Sequence, residues 1–355
     1  MMEPPPLSSL PFSPPPSCRA ALSLIRRWAT GQPPSPTLDY RPHLEFLHAK
    51  KLDSLYYIDS APQCPEQSFY DRYLTLQRGE LGRLADELER RGIRAIVIKG
   101  AELCARYYGS HSLAFLGDID ILVSPSDAWE TKKILMEMGH VQGNYVEGVL
   151  TPSGPVDIAQ IESSHYELFP FSKVCPIGQL DEVQQAVALS KPYRFSRRGS
   201  DWDALVKFDV HHNLMMGMDV GPMWQRAVPS VVSPSMLTLC PSDHLWFIIH
   251  RTYLETALGI MRHLRSLAYV APLFGREAID WELLIHSAST YDGAPALYYW
   301  LAFLELGCAP GTLPDFVLST LGPRVPSGKH DMGWQIGKLF DLPDFTAAWL
   351  GERHA

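Results

Sequence analysis

Gly117-Asp118-Ile119-Asp120-Ile121-Leu122-Val123 sets two aspartates in a run of aliphatic residues. The run is closed by Ser124-Pro125 and predicts a β-strand over residues 118–123. Alternate residues of a strand point to the same side, so the two aspartates would project together while the isoleucines face the core. Like charges about 6 to 7 Å apart repel by roughly 3 kcal/mol at an effective dielectric near 20. A divalent cation bound by both carboxylates would relieve that repulsion.

The sequence on both sides of this run predicts helices that alternate with strands. Asp127 and Glu130 have the spacing of a capping box at the start of a helix that Gly139 ends. Beyond Pro241 the apolar residues follow helical spacing. The core is therefore expected to be α/β or α+β, followed by a helical part. The other predicted elements are helices over 17–30, 66–91 and 101–108, and strands over 93–98 and 205–211.

Changes in composition along the chain predict four segments. Seven of the first sixteen residues are Pro, so residues 1–16 are expected to form a disordered lead. Residues 17–65 are expected to form an N-terminal helical segment and residues 66–235 the core that carries the acidic pair. Residues 236–355 are expected to form a helical C-terminal domain.

The overall composition limits the class of protein. The 355 residues are 46% hydrophobic, which excludes a disordered or fibrous protein. The formal net charge of −8 disfavours long nucleic acid or an anionic membrane as a partner. No apolar run approaches the roughly 20 residues of a spanning helix, and the first residues do not resemble a secretory signal. The six cysteines form no CxxC pair and are expected to be reduced thiols. We therefore expect a cytoplasmic protein; no heptad pattern indicates its oligomeric state.

A third carboxylate has two candidates. Asp209 lies between Phe208 and Val210 in the predicted strand over 205–211. Asp157 also lies between apolar neighbours, in Pro155-Val156-Asp157-Ile158. Three carboxylates that hold hard cations, with phosphate supplying further oxygens, are typical of two-metal phosphoryl chemistry.

Lys99-Gly100 lies where a predicted strand meets a predicted helix. A glycine there lets the backbone approach a ligand closely, and the helix N-terminus directs free N–H groups at an anion. The sequence therefore predicts a phosphate site at this turn, with Lys99 as an added point charge. A plain turn with an exposed lysine explains the same two residues.

Two further groups of residues are candidates for the site. His211 shares a strand face with Asp209, whereas the adjacent His212 would point the other way. Arg194, Arg197 and Arg198 form a basic cluster that is able to contact phosphate, although most such clusters are solvated loops.

Three segments resemble the nucleotidyltransferase superfamily with the polymerase-β-like fold, and within it a group of uncharacterised bacterial nucleotidyltransferases. They are IVIKGAEL (96–103), LGDIDILV (116–123) and KFDVHHNL (207–214). The resemblance implies an α+β fold with a twisted mixed sheet, flanking helices and a helical C-terminal domain. It also implies Mg²⁺ or Mn²⁺ and the transfer of an NMP from an NTP, preferably ATP, to an unidentified small molecule, peptide or protein, with release of pyrophosphate.

The resemblance also implies roles for individual residues. Asp209 would be the third carboxylate in preference to Asp157, because His211-His212 after it match the same family segment. Asp209 would bind metal and also accept the proton of the acceptor. The implied metal ligands and catalytic residues are Asp118, Asp120 and Asp209, and the implied nucleotide-binding residues are Lys99, Gly100, Gly117 and His211.

Two positions differ from the pattern that the resemblance implies. Ala101 follows Gly100 where the superfamily has a hydroxyl residue, and Ala114 stands where the group has an arginine before the acidic pair. These differences keep open a noncatalytic nucleotide-binding or partner-binding protein. The carboxylates alone also fit a phosphotransferase that moves the γ-phosphate of an NTP.

Overall fold

The structure is a computed structural model that describes residues 15–32, 39–146, 148–325 and 332–341. The chain forms two units, which we call the sheet unit (residues 57–240) and the helical unit (residues 1–56 with 241–355). The Pro-rich lead predicted over residues 1–16 lies outside the described residues up to residue 14. The division into four segments stays a prediction.

The helices and strands agree closely with the sequence pattern in the core. The helix predicted over 66–91 and the strand predicted over 118–123 are both present within one or two residues at each end. In chain order the elements are α1 (Pro16–Thr30), α2 (Leu44–Ala49), α3 (Asp53–Ser60), α4 (Pro65–Arg90), β1 (Ala95–Ile98), α5 (Lys99–Tyr108), β2 (Ile119–Val123), α6 (Ala128–Glu137), β3 (Val141–Val146), β4 (Val149–Pro152), α7 (Pro155–Ser164), β5 (Phe171–Gly178), α8 (Glu182–Leu189), β6 (Phe195–Arg198), β7 (Asp201–His211), α9 (Gly221–Arg226), β8 (Val228–Pro229), β9 (Leu237–Thr238), α10 (Pro241–Ala257), α11 (Arg265–Arg276), α12 (Trp281–Thr290), α13 (Ala294–Gly307), α14 (Asp315–Leu321) and α15 (Met332–Phe340).

The strands of the sheet unit form one mixed sheet. Its order is β4-β3-β5-β7-β2-β1-β9-β8, and β6 pairs with the first part of β7. β2 runs parallel to β7 and β1 runs parallel to β9, whereas the other pairs are antiparallel. With its flanking helices this sheet confirms the predicted α+β fold class.

The two faces of the central strands have different roles. Along β7, Val206, Phe208 and Val210 point into an apolar cluster that also contains the isoleucines of β2. The apolar stripes of α4 and α6 complete that cluster, so these helices cover one face of the sheet. Because the side chains of a strand alternate, Lys207, Asp209 and the other odd-numbered residues of β7 lie on the opposite face.

The capping box predicted at α6 is wrong. Asp127 is the N-cap residue, but its side chain accepts no hydrogen bond from the helix backbone. The Ser124 hydroxyl donates to Asp127 Oδ2 at 2.6 Å instead, and Glu130 pairs with Arg91 and Lys133. Competing partners therefore occupy both carboxylates that the spacing assigned to the cap.

The described part of the helical unit consists of helices. α1 packs against α11 at close range: a Cβ on Gly275 would lie 2.5 Å from the carbonyl oxygen of Ala29, so no larger residue fits there. Arg26 on α1 donates to the carbonyl oxygens of Leu306 and Gly307, which are otherwise without helical partners at the end of α13. Within the described residues, no helix is both long and apolar enough to cross a membrane.

Phe115→Ala is expected to destabilise the sheet unit by about 3–5 kcal/mol, because it removes a buried ring from a packed cluster. Four aromatic rings surround Phe115 edge-on, with centroids 4.7 to 5.5 Å away. Urea unfolding measures the change. Phe316→Ala is the control, since Phe316 is 47% exposed and should change stability by less than about 0.5 kcal/mol. Equal losses in the two variants would contradict the packing described here.

Candidate active site

The pairing of β2 with β7 brings three carboxylates together. Asp120 and Asp209 are direct partners in the parallel register of the two strands, and Asp118 immediately precedes β2. One carboxylate oxygen from each of the three lies within 4.8 Å of the others. The other candidate for the third carboxylate, Asp157, lies exposed in the first turn of α7 and is not in this group.

Asp120 is the most buried of the three and has two cationic or polar neighbours on one oxygen. Lys99 Nζ lies 2.5 Å from Asp120 Oδ1, and His211 Nε2 lies 3.0 Å from the same atom. Burial alone would raise the pKa of Asp120, but Lys99 and His211 outweigh burial and hold the pKa below its ordinary value. Asp120 is therefore ionised at neutral pH.

Asp209 is in a different electrostatic environment. Burial and the nearby Asp118 raise the pKa of Asp209 to about 8, although Lys207 opposes the shift. Lys207 Nζ lies 3.0 Å from Asp209 Oδ1 and 3.7 Å from Asp118 Oδ2. Asp209 Oδ1 is buried and accepts no hydrogen bond in spite of this ion pair. Burial would lower the pKa of Lys207, but Asp209 and Asp118 raise it overall.

His211 is fixed between Asp120 and a residue from outside the central strands. Its side chain is 1% exposed. Its Nδ1 lies 3.3 Å from Glu167 Oε2, and the backbones of Glu167 and His211 form an isolated antiparallel bridge. The ring of Tyr166 stacks on the His211 ring at 6.0 Å. His211 therefore contacts the carboxylate group through Asp120.

The turn between β1 and α5 places Lys99 beside Asp120. Ile98 is the register partner of Asp120, and the chain turns into α5 at the next residue. Lys99 has φ 56°, in the left-handed region, where a residue with a side chain is strained. Gly100, predicted from the sequence to lie at the turn itself, lies in the first turn of α5. No side chain caps the N-terminus of α5.

The loop that leads to Asp118 is fastened to α4. Asp71 on α4 accepts a hydrogen bond from the Ser112 backbone N–H at 2.8 Å, and its second oxygen lies 2.7 Å from His111 Nδ1. Gln67 donates to the Ser112 carbonyl oxygen at 3.1 Å. Further along, Gln77 donates to the Leu116 carbonyl oxygen. These contacts hold the backbone just before the acidic pair.

The structure separates the three arginines of the predicted basic cluster. Arg194 donates to the Leu116 carbonyl oxygen, and its guanidinium lies 5.3 Å from the centre of the Tyr73 ring. Arg197 donates to the Gly199 carbonyl oxygen and Arg198 pairs with Asp203, so both belong to the hairpin of β6 and β7. Of the three, Arg194 alone contacts the loop before Asp118.

Gly117 and Lys207 complete the set of residues around the carboxylates. A Cβ added at Gly117 would meet no atom within 4 Å, so the space beside Asp118 is open. Lys207 and Glu167 were not predicted from the sequence as residues of the site. Lys207 lies two residues before Asp209 in a strand, and the period of two was a usable signal. Glu167 reaches His211 through tertiary pairing, for which the sequence holds no local signal.

A mixed sheet that brings three carboxylates together beside a strand-to-helix turn is consistent with the phosphoryl-transfer class of site. A sequence model of the family described as "uncharacterised nucleotidyltransferase" matches residues 70–306, well over half of the chain. The chain therefore belongs to this family, which confirms the resemblance given above. Neither a search of curated proteins nor a search of solved structures gave a match.

Asp209→Asn is expected to reduce the pH dependence of stability in the metal-free protein. The pKa of Asp209 in the folded protein, about 8, lies above its ordinary value of 3.8. The fold therefore favours the protonated carboxyl, and this stabilisation is lost as the pH rises from about 4 to about 8. Urea unfolding in a chelator between pH 5 and 9 measures the effect: the wild type should lose more stability than the variant.

The matched control for this measurement is Asp157→Asn. Asp157 is exposed on α7, so the substitution should change the free energy of unfolding by less than about 0.5 kcal/mol throughout this pH range. If wild type and Asp209→Asn lost the same stability with rising pH, the pKa of Asp209 would not be raised by burial and by the charge of Asp118.

Proposed function

We propose that the protein is a metal-dependent nucleotidyltransferase that transfers an NMP from an NTP to an acceptor and releases pyrophosphate. The observation that carries the proposal is the convergence of Asp118, Asp120 and Asp209 within 4.8 Å in a chain of this family. Catalysis would consist mostly of positioning the reactants and neutralising phosphate charge.

The three carboxylates fit a hard divalent cation such as Mg²⁺ or Mn²⁺. All the donors are oxygens, and the buried Asp209 Oδ1 accepts no hydrogen bond, although the Lys207 ammonium lies 3.0 Å away. Asp118, Asp120 and Asp209 would hold the cation, which when bound would supply charge neutralisation at the phosphates. Asp209 is also our candidate for the residue that accepts the proton of the attacking acceptor.

The triphosphate would bind at the turn between β1 and α5. α5 has ten residues and no side-chain cap at its N-terminus, so its first backbone N–H groups are suited to phosphate oxygens. Lys99 adds a positive charge at the same turn. The open space at Gly117 allows a ligand to approach next to Asp118. Gly100 would contribute its backbone, and His211 would act by orienting Asp120.

We propose ATP as the first donor to test and leave the acceptor open among small molecules, peptides and proteins. The choice of ATP follows from the resemblance to the nucleotidyltransferase superfamily. The net charge of −8 disfavours a long nucleic acid as acceptor. We also propose that the protein acts in the cytoplasm, as expected from its reduced cysteines.

The double variant Asp118→Asn plus Asp120→Asn is expected to abolish nucleotide binding that depends on metal. Thermal unfolding with each NTP, with and without Mg²⁺, measures this. An NTP at about 100 times its dissociation constant stabilises the fold by roughly 2.7 kcal/mol, and this shift should require Mg²⁺ and vanish in the variant. Asp157→Asn, a carboxylate outside the group, should retain the full shift.

Product analysis with the nucleotide that binds then separates the possible activities. Pyrophosphate together with an NMP adduct supports nucleotidyl transfer, whereas a nucleoside diphosphate identifies a γ-phosphotransferase. Binding without any product across an acceptor screen identifies a noncatalytic nucleotide-binding protein. The absence of binding by every NTP in the wild type would overturn the proposal.

A further inference from the structure

We infer that Lys207 is a resident counter-cation of the carboxylate group. Its ammonium holds Asp118 and Asp209 together without metal and is displaced when a divalent cation binds. The inference rests on the proposed function and assigns a role to a residue that the proposal does not use. Lys207 would therefore set the metal affinity of the site as a positioning residue.

The position of Lys207 on β7 carries the inference. Lys207 and Asp209 are two residues apart on one strand, so both side chains lie on the face that bears the carboxylates. The Lys207 ammonium lies 3.0 Å from Asp209 Oδ1, 3.3 Å from Asp209 Oδ2 and 3.7 Å from Asp118 Oδ2. It therefore bridges two of the three carboxylates that are candidates for holding metal.

The two lysines of the site divide the carboxylates between them. Lys99 contacts Asp120, whereas Lys207 contacts Asp209 and Asp118. Three carboxylates held this close repel one another strongly unless positive charge lies among them. Two ammonium groups offset most of that charge when Asp209 is ionised and all of it when Asp209 is protonated, so the group stays assembled without a metal ion.

Lys207 is the lysine that a metal ion would displace. A cation held by both Asp118 and Asp209 would lie beside the carboxylate oxygens that the Lys207 ammonium now faces, and the two positive charges would repel at that distance. Lys207 is 30% exposed, so its flexible stem is able to move its charge into solvent. Lys99 differs, because it shares a single oxygen of Asp120 with His211 and lies at a strained turn.

The experiment measures the binding of Mn²⁺ to the full chain without nucleotide. Calorimetry gives the affinity, and the electron paramagnetic resonance signal of free Mn²⁺ gives it independently. Lys207→Met keeps most of the aliphatic stem and removes the charge, so Mn²⁺ should bind at least about tenfold more tightly than to wild type. Lys207→Arg keeps the charge and should not show this gain. Lys173→Met is the matched control: Lys173 lies 3.4 Å from the buried carboxylate of Glu80, outside the group, and its loss should leave Mn²⁺ affinity unchanged.

The outcomes separate this inference from the proposed function. Binding of Mn²⁺ to wild type and Lys207→Met with equal affinity would overturn the role of Lys207 and leave the metal site standing. No Mn²⁺ binding to either protein would overturn the metal site and the proposed function with it. Tighter binding to Lys173→Met as well would also overturn the inference, because any lost lysine would then act alike.

A second measurement needs no metal. In a chelator, Lys207→Met should unfold about 2–4 °C below wild type, since its carboxylates lose their counter-charge. Adding Asp118→Asn to Lys207→Met should recover most of that loss, because the double variant removes one negative charge with one positive charge. If Lys207→Met alone does not fold, the double variant still should. Asp118→Asn alone is measured as well. If the fall in unfolding temperature of the double variant equalled the sum of the falls in the two single variants, the inference would be contradicted.

Discussion

The parallel pairing of β2 with β7 is the constraint on which the site depends. The register makes Asp120 and Asp209 direct partners, and the apolar cluster beneath the sheet holds that register through Val206, Phe208 and Val210 on β7. A slip of one residue would turn these apolar side chains to the polar face. Core packing therefore fixes the distance between the carboxylates, and the chemistry of the site follows from a hydrophobic pattern.

Much of this arrangement could be predicted from the sequence. The aliphatic run around Asp118 and Asp120 and the alternation before Asp209 are local patterns, and both define strands in the structure. The resemblance to a nucleotidyltransferase family, confirmed by the match over residues 70–306, favoured Asp209 over Asp157. Asp157 lies in the helix that begins at Pro155, so its apolar neighbours belong to a helix and not to a strand.

What the sequence could not supply is the pairing between distant side chains. Glu167 reaches His211 only because the chain before β5 forms a bridge with the end of β7. The capping box at Asp127 was wrong because other groups compete for the two carboxylates: the neighbouring Ser124 contacts Asp127, and the distant Arg91 contacts Glu130. Spacing shows which groups are able to meet, but the free energies of the competing partners decide which groups do meet.

α4 links the site to the rest of the sheet unit. Its 26 residues, about 39 Å of helix, carry both the apolar stripe of the core and three side chains, Gln67, Asp71 and Gln77, that fasten the loop before Asp118. Local opening of the loop therefore requires the first turns of α4 to release it, which couples site and core in one cooperative unit. In terms of hydrogen exchange, the Ser112 amide would share the slow exchange of the buried helix, although it belongs to a loop.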